Sequence, residues 1–562
     1  MRSKAILRAV SELPRRKPFY RRVSVLLPIA ALLLVALAGF ALADNAYNRG
    51  ITYNPPLSPI AWTDVPQLGV NAYNIQFEPD RANVTRTLEL ARDLGAHFVR
   101  MQLPWEDVEI HAKGDFQDRR NAQAVHSAWD KYDFIFGEMR RLGLEPIVRI
   151  DRPPAWARAH AKQTPEFKAR LAINGYAIGP PDNYADYADF VHAVAARYRE
   201  QMRFIQIWNE PNLTDEWNGQ TPSPAQFVDL LKAGYTSAKA ANPAVVILFP
   251  SLAPTDGLDL TAPLTDLEFL DQVYALGGGQ YFDIMSAQAY GLGQPPEEHR
   301  YIRLRTRGDW SWRQPIDTRI DVSRLALVRE VMERHGDAAK AIWISEFGYV
   351  TESPAVPPEK RNTWGAPVTE QQKAEFLVGQ LERARREWPW VGMMNVWFLR
   401  WGGEAPNPAD PTANFAIVDR DFRPLPAYDA IKAYTAQGAI AGVGAHDWGH
   451  PAVVPRRTPN RWSLRFEGSS LALVGMHGPI EIALDGQAPV NVNPDVEGGP
   501  VTVASGLSDG VHTVVLSGAN GPPHTFVVGR AQPLPWLWTL APMLLLAALA
   551  LVGGLTMRAL AR

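Results

Sequence analysis

Between about residues 66 and 437 the chain alternates two hydrophobic patterns. Short apolar runs punctuated by Gly, Pro or charge read as buried strands, and longer stretches with apolar spacing near 3.6 read as amphipathic helices. The strand candidates are Leu68-Gly69-Val70-Asn71-Ala72, Ala96 to Met101, Glu145 to Ile150, Phe204 to Asn209, Val245 to Phe249, Phe282 to Tyr290, Ala341 to Glu346 and Val391 to Phe398. Helices are predicted at Val84–Leu94, Trp129–Leu142, Tyr184–Tyr198, Gln226–Ala241, Val322–His335, Glu370–Glu387 and Ala427–Tyr434. Eight strand-then-helix units predict an α/β fold, a closed (β/α)8 TIM barrel occupying residues 44–437. Gly69 stands alone after the first strand, without the G-x-G-x-x-G of a dinucleotide fold. The chain also lacks a P-loop, an H-E-x-x-H and a G-x-S-x-G.

The pattern changes from 460 to 530. Short β-like runs such as Trp462 to Phe466, Ile480 to Leu484 and His512 to Leu516 alternate with Gly, Pro, Asn and Asp. This predicts a small antiparallel sandwich, joined by a Gly/Ala/Pro-rich linker at 438–459. Residues 1–22 hold eight Arg or Lys against one Glu, and 23–43 carry no charge. A run of that length can cross a bilayer with its basic flank in the cytoplasm. It ends in Ala41-Leu42-Ala43-Asp44, which also suits signal-peptide cleavage. A second apolar span at 534–556 opens with Trp536 and Trp538 and is followed by Arg558 and Arg562 in a short tail, 557–562. The expectation is a plasma-membrane protein with an N- and a C-terminal transmembrane helix and its catalytic domain extracytoplasmic.

Composition narrows the chemistry. A net charge of −2 offers no global field for nucleic acid. Cysteine is absent, which excludes disulfides, thiolate metal sites and a Cys nucleophile. The chain holds 18 Trp and 17 Tyr, a supply that suits stacking on sugar rings as well as filling a large core.

Two strand candidates end in a glutamate. One reads Phe204-Ile205-Gln206-Ile207-Trp208-Asn209-Glu210-Pro211-Asn212 and the other Ala341-Ile342-Trp343-Ile344-Ser345-Glu346-Phe347-Gly348. The C-terminal strand tips of a parallel barrel are where chemistry is done. Two carboxylates facing each other there can cleave a glycosidic bond, one protonating the leaving oxygen and the other attacking or activating water. Arg100 and Tyr290, at the tips of the second and sixth strands, can keep one carboxylate ionised; Asn209 can hold a sugar hydroxyl. Trp397, on the eighth strand, can floor a subsite. The double displacement requires no metal or organic cofactor.

The Trp208-Asn209-Glu210-Pro211-Asn212-Leu213 segment resembles the acid/base motif of clan A retaining glycoside hydrolases, and most closely that of glycoside hydrolase family 39. The resemblance covers about residues 66–437, closing at Arg423-Pro424-Leu425-Pro426-Ala427-Tyr428. It implies Glu210 as acid/base with Asn209 as its partner, Glu346 as nucleophile, Arg100 and Tyr290 as nucleophile partners, and Trp397 as the last-strand tryptophan. Two features depart from the pattern: Gln288 stands where many members have His, and the first strand shows no clear sugar-binding His, with Asn71 and Tyr73 standing there instead.

The resulting expectation is a retaining glycosidase acting on a poly- or oligosaccharide. Transglycosylation at the same site and non-catalytic glycan binding are the alternatives. Trp105, Trp156, Trp217, Trp364 and Trp401 fall in strand-to-helix loops, with Trp105 and Trp217 read as substrate-binding. The stretch from Arg300 to Arg319, with six arginines and Trp310 and Trp312, reads as a solvated loop or a grip for an anionic polysaccharide. The carboxylates Glu106, Asp107 and Glu109 are not spaced as a calcium loop.

Overall fold

The computed structural model describes residues 48–255, 257, 262–297, 320–456, 460–493, 499–518, 521–532 and isolated positions from 542 onward. Eight parallel strands form the central sheet: β1 (Leu68–Asn71), β2 (Phe98–Pro104), β3 (Glu145–Asp151), β4 (Phe204–Ile207), β5 (Val246–Leu248), β6 (Met285–Gln288), β7 (Ile342–Phe347) and β8 (Val391–Val396). Each pairs with its sequence neighbour, β8 pairs with β1, and a parallel bridge from Leu248 to Ile284 links the β5 and β6 edges, which closes the barrel. Consecutive parallel neighbours require a crossover helix each, and the strongly periodic segments supply them. Examples are α1 (Arg81–Asp93), α2 (Asp130–Leu142), α3 (Pro165–Asn174), α4 (Tyr184–Arg197), α5 (Pro224–Ala241), α6 (Asp266–Ala275), α7 (Arg324–Arg334), α8 (Glu370–Glu387) and α9 (Pro426–Thr435). Helices α6 and α8 open in reciprocal capping boxes, Thr265 with Glu268 and Thr369 with Gln372.

The barrel is packed rather than hollow. Its N-terminal end is plugged by Phe98, Ile147, Phe204, Trp343 and Met393, against which Ile60, Trp62 and Val65 lie. Trp343 Nε1 donates to the Trp62 carbonyl at 2.9 Å, fixing this plug. Gly69 is required at its position: a Cβ there would lie 2.1 Å from Asn395 Oδ1. Toward the C-terminal end polar side chains enter the barrel, and there Arg100 Nε donates to the fully buried Gln206 at 2.9 Å.

The remaining strands form two sheets. Strands β9 (Gly444–Asp447), β10 (Val453–Pro455), β11 (Arg461–Gly468), β12 (Ser470–Val474), β13 (Ile480–Leu484), β14 (Val490–Val492), β15 (Val501–Ala504), β16 (Gly510–Gly518) and β17 (Thr525–Gly529) arrange as β9-β17-β12-β15 and β10-β11-β16-β13-β14. Their inward faces share a core of Leu464, Phe466, Leu471, Leu473, Val514 and Phe526. The stretch 438–459 is therefore not a free linker. It contributes β9 and β10: the Gly-Ala-His-Asp sequence of β9 hides its strand pattern, and β10 is only three residues long and ends in proline. Its first residues are bound to the barrel: Val443 N–H donates to the Arg385 carbonyl at 3.0 Å, and Arg385 Nε reaches Glu467 at 2.6 Å.

The expected terminal transmembrane helices are corrected. Among the described residues no helix is long and apolar enough to cross a membrane. The 23–43 span and most of 534–556 lie outside the described residues, as do Arg300 to Arg319; the described residues form a barrel with accessory β-sheets.

Candidate active site

Glu346 sits on β7, one residue before its end, and is 5% exposed. Arg100 NH1 donates to its Oε1 at 2.8 Å, and the Tyr290 hydroxyl donates to its Oε2 at 2.7 Å. Arg100 is itself held by Asn71 Oδ1 at 2.7 Å and by Gln206, so the cation cannot swing away. Burial and the Glu346 charge hold the Tyr290 phenol well above its ordinary range, which keeps it a donor. A cation and a hydroxyl thus occupy both oxygens of Glu346, the surroundings that a carboxylate anion needs.

Glu210 follows β4 on a turn where Trp208 (φ 67°) and Glu210 itself (φ 33°) adopt left-handed backbone conformations. Such conformations cost about 1–3 kcal/mol each in a non-glycine residue. The turn leaves Glu210 half-buried at the rim. Its Oε1 accepts from Gln288 Nε2 at 2.6 Å. Burial first, and then the charge of Glu346, push its carboxyl up to about 7, against the lowering effect of the Gln288 bond. The two glutamates are therefore close enough to feel each other and have opposite surroundings. Gln288 joins them: its backbone lies beside Glu346 in the β6–β7 pairing, and its side chain reaches Glu210.

Asn209 Nδ2 donates to Glu216 Oε1 at 2.9 Å, and Asn209 Oδ1 accepts from Arg149 NH1 at 3.0 Å. Arg149 also pairs with Asp151 at 2.8 Å. Burial, with the nearby charges of Asp151 and Glu210, raises Glu216 to about 8. Arg149, Asp151 and Glu216 were missed from sequence. The first two carried a signal, because they alternate at i and i+2 on the tip of β3 and so share one face. Glu216 lies in a single 3-10 turn after β4, with no pattern to mark it.

Aromatic residues line one side. Half-buried Trp397 packs edge-on against Tyr73 at 5.2 Å, and Tyr73 lies 4.7 Å from Trp401. Trp364 lies 5.4 Å from Tyr290. Trp105 and Trp217 do not belong to this wall, which corrects their expected substrate contact. Trp105 is 0% exposed, stacks on Phe190 and donates to Glu109 at 2.6 Å; Trp217 is 1% exposed and packs beside Trp208. Large apolar rings near a barrel rim lower the free energy more by closing the interstices between loop and helix than by facing water. Asp107 is occupied by Arg120, Lys131 and Tyr132, and Glu109 by Trp105 and Gly114.

No protein-family model and no curated protein sequence matches the chain. Solved structures similar to it include a family 39 glycoside hydrolase from the gut symbiont Bacteroides cellulosilyticus, at 15% identity and a TM-score of 0.47 over 82% of this chain and 83% of that one. A monomeric β-xylosidase from Caulobacter crescentus shares 15% identity at a TM-score of 0.43, covering 83% of this chain and 98% of its own. A GH39 enzyme from Xanthomonas axonopodis pv. citri shares 14% identity at 0.45, covering 82% and 96%.

Proposed function

We propose that the protein is a glycosidase hydrolysing O-glycosyl bonds of a poly- or oligosaccharide by a retaining double displacement. The observation that carries this reading is the electrostatic contrast between two neighbouring carboxylates. Glu346 is met by a fixed cation and a phenol on its two oxygens, while Glu210 is held near neutrality by burial and by Glu346. Pairs whose surroundings push their proton affinities apart divide into an acid and a base or nucleophile.

In the first step Glu346 Oε attacks the anomeric carbon as Glu210 gives its proton to the departing oxygen, and the C–O bond to the leaving sugar breaks. In the second step Glu210, now ionised, takes a proton from water, whose oxygen displaces Glu346 and restores the starting state. Asn209, clamped between Arg149 and Glu216, is placed to receive a sugar hydroxyl beside the reacting carbon. Trp397 and Tyr73 offer apolar faces to the rings. A glycan-binding protein has no use for two carboxyls held in such opposite surroundings.

The test uses Glu346→Ala and Glu210→Ala against a panel of aryl glycosides and polysaccharides. Glu346→Ala is expected to lose turnover. Glu210→Ala is expected to keep its first step only with leaving groups that need no protonation, and to yield a glycosyl azide of retained configuration when azide is added. Near-wild-type hydrolysis by either variant, or an inverted product from the wild type by NMR, defeats the proposal. Product mixtures with and without acceptor sugar separate hydrolysis from transfer.

A further inference from the structure

The opposite end of the barrel carries a separate cluster. Asp64 follows the Ile60–Trp62 plug segment, and His446 and His450 belong to β9 and the turn after it. One ligand atom of each lies within 4.8 Å of the others. Sequence distance conceals the group, since 382 positions separate Asp64 from His446.

We propose that Asp64, His446 and His450 form a binding site for a divalent first-row transition metal, zinc-like in its preference for nitrogen and oxygen donors, which staples the barrel's base to the β-sandwich. Three observations support it. First, both His446 nitrogens face acceptors: Nδ1 lies 2.7 Å from Asp64 Oδ1, and Nε2 lies 3.0 Å from the Gly442 carbonyl. A neutral imidazole has one proton for these two positions. With Nε2–H donating to Gly442, Nδ1 turns a lone pair to the same side as Asp64 Oδ1, a crowded contact that a metal bound by both atoms would relieve by parting them. A ligating histidine oriented by a backbone carbonyl through its other nitrogen is the usual outer-shell arrangement. Second, Asp64 Oδ2 is held by the Asp447 N–H at 2.6 Å, which aims the carboxylate without consuming Oδ1. Third, His446 and His450 are only 7% and 9% exposed, and both line a cavity of about 220 Å³ with room for a metal-bound water.

Two imidazoles, one carboxylate and a water make a tetrahedral set of the kind that zinc accepts. Closing around a metal requires the outermost ligand atoms to draw in, and His446 Nδ1 and Asp64 Oδ1 to part from 2.7 Å, toward the roughly 3.4 Å edge that metal–ligand bonds near 2.1 Å define. One His450 nitrogen, Nδ1, accepts from the Ala452 N–H at 3.0 Å. The site lies at the barrel end away from the rim, so it is independent of the glycosidase reading.

The test is zinc binding by the full chain, prepared without a polyhistidine tag, stripped with chelator and titrated with Zn²⁺ against a chromophoric competitor. One equivalent is expected to bind with a micromolar or tighter Kd and to raise Tm. Asp64→Asn and His450→Ala are each expected to weaken binding by about tenfold or more and to abolish the Tm increase. Cobalt substitution should give the visible absorption of a four-coordinate N/O site. Far-UV circular dichroism of the variants guards against misfolding, and the wild-type titration decides on its own. A wild-type chain that binds no zinc at tens of micromolar overturns the proposal, as does one-equivalent binding that both folded variants retain unchanged.

Discussion

At the residue scale, the site is governed by two carboxyls that stay protonated beyond their ordinary range. Glu210, pushed up to about 7, must carry its proton for the first step. On the glycosidase reading, kcat/KM falls as pH rises through about 7, by tenfold per unit once Glu210 is ionised. With an aryl glycoside that needs no acid, Glu210→Ala should lose this limb; a limb of unchanged midpoint in the variant rules Glu210 out as its source. Glu216 makes a stability statement. Its folded value of about 8 exceeds the ordinary 4.5, so the folded state holds a proton that the unfolded chain has released across that window. Stability from this group is therefore lost as pH climbs from about 4.5 to 8. Glu216→Gln keeps the acceptor for Asn209 and removes the titration. Its Tm relative to wild type should rise between pH 5 and pH 9, and parallel Tm curves would count against the assignment.

At the scale of elements, register does the positioning. The β6–β7 pairing sets Gln288 beside Glu346, and the length of the glutamine side chain carries its amide to Glu210. That bond favours the ionised form, so Gln288→Leu should move the alkaline limb upward while leaving the fold intact, as a pH–rate profile with circular dichroism would show. The two tryptophan populations also separate here. Trp105→Ala opens a cavity between the β2 loop and α4 and should destabilise by about 3–5 kcal/mol in denaturant unfolding. Trp397→Ala, at the half-buried end of β8, should instead cost on the order of tenfold in kcat/KM, about 1.4 kcal/mol, with little change in Tm. The reverse pattern would exchange their roles.

At the scale of the molecule, the barrel and the sandwich share contacts that tie their folding together. Arg385 on α8 bonds Glu467 of β11 and the Tyr434 hydroxyl of α9, and Gly442 lies so close that a Cβ there would come within 2.0 Å of the Arg385 carbonyl. Removing Glu467 leaves a mostly buried guanidinium with one partner fewer, so Glu467→Ala is expected to cost about 3 kcal/mol. Calorimetry should register this as a lower Tm, and a Tm within a degree of wild type would contradict the coupling.

What the sequence determined by itself was whatever depends on local periodicity. Eight apolar runs, seven of them followed by a predicted helical stretch, specify parallel strands with crossovers, and the runs that stop at Glu210 and Glu346 place carboxylates at strand tips. Arg100, Tyr290 and Asn209 were legible for the same reason, because the tip of a strand is visible in the chain. Tertiary structure alone decided the rest. It buried Trp105 and Trp217, because an aromatic ring in a loop carries no mark of whether a helix will pack over it. It drew Glu216 and Arg149 onto Asn209, folded β9 and β10 out of a segment that reads as linker, and brought Asp64 to His446 and His450. These contacts join residues outside any one element, and a hydrophobic pattern, which records only neighbours along one element, holds no information about which other groups will share a dielectric and a proton.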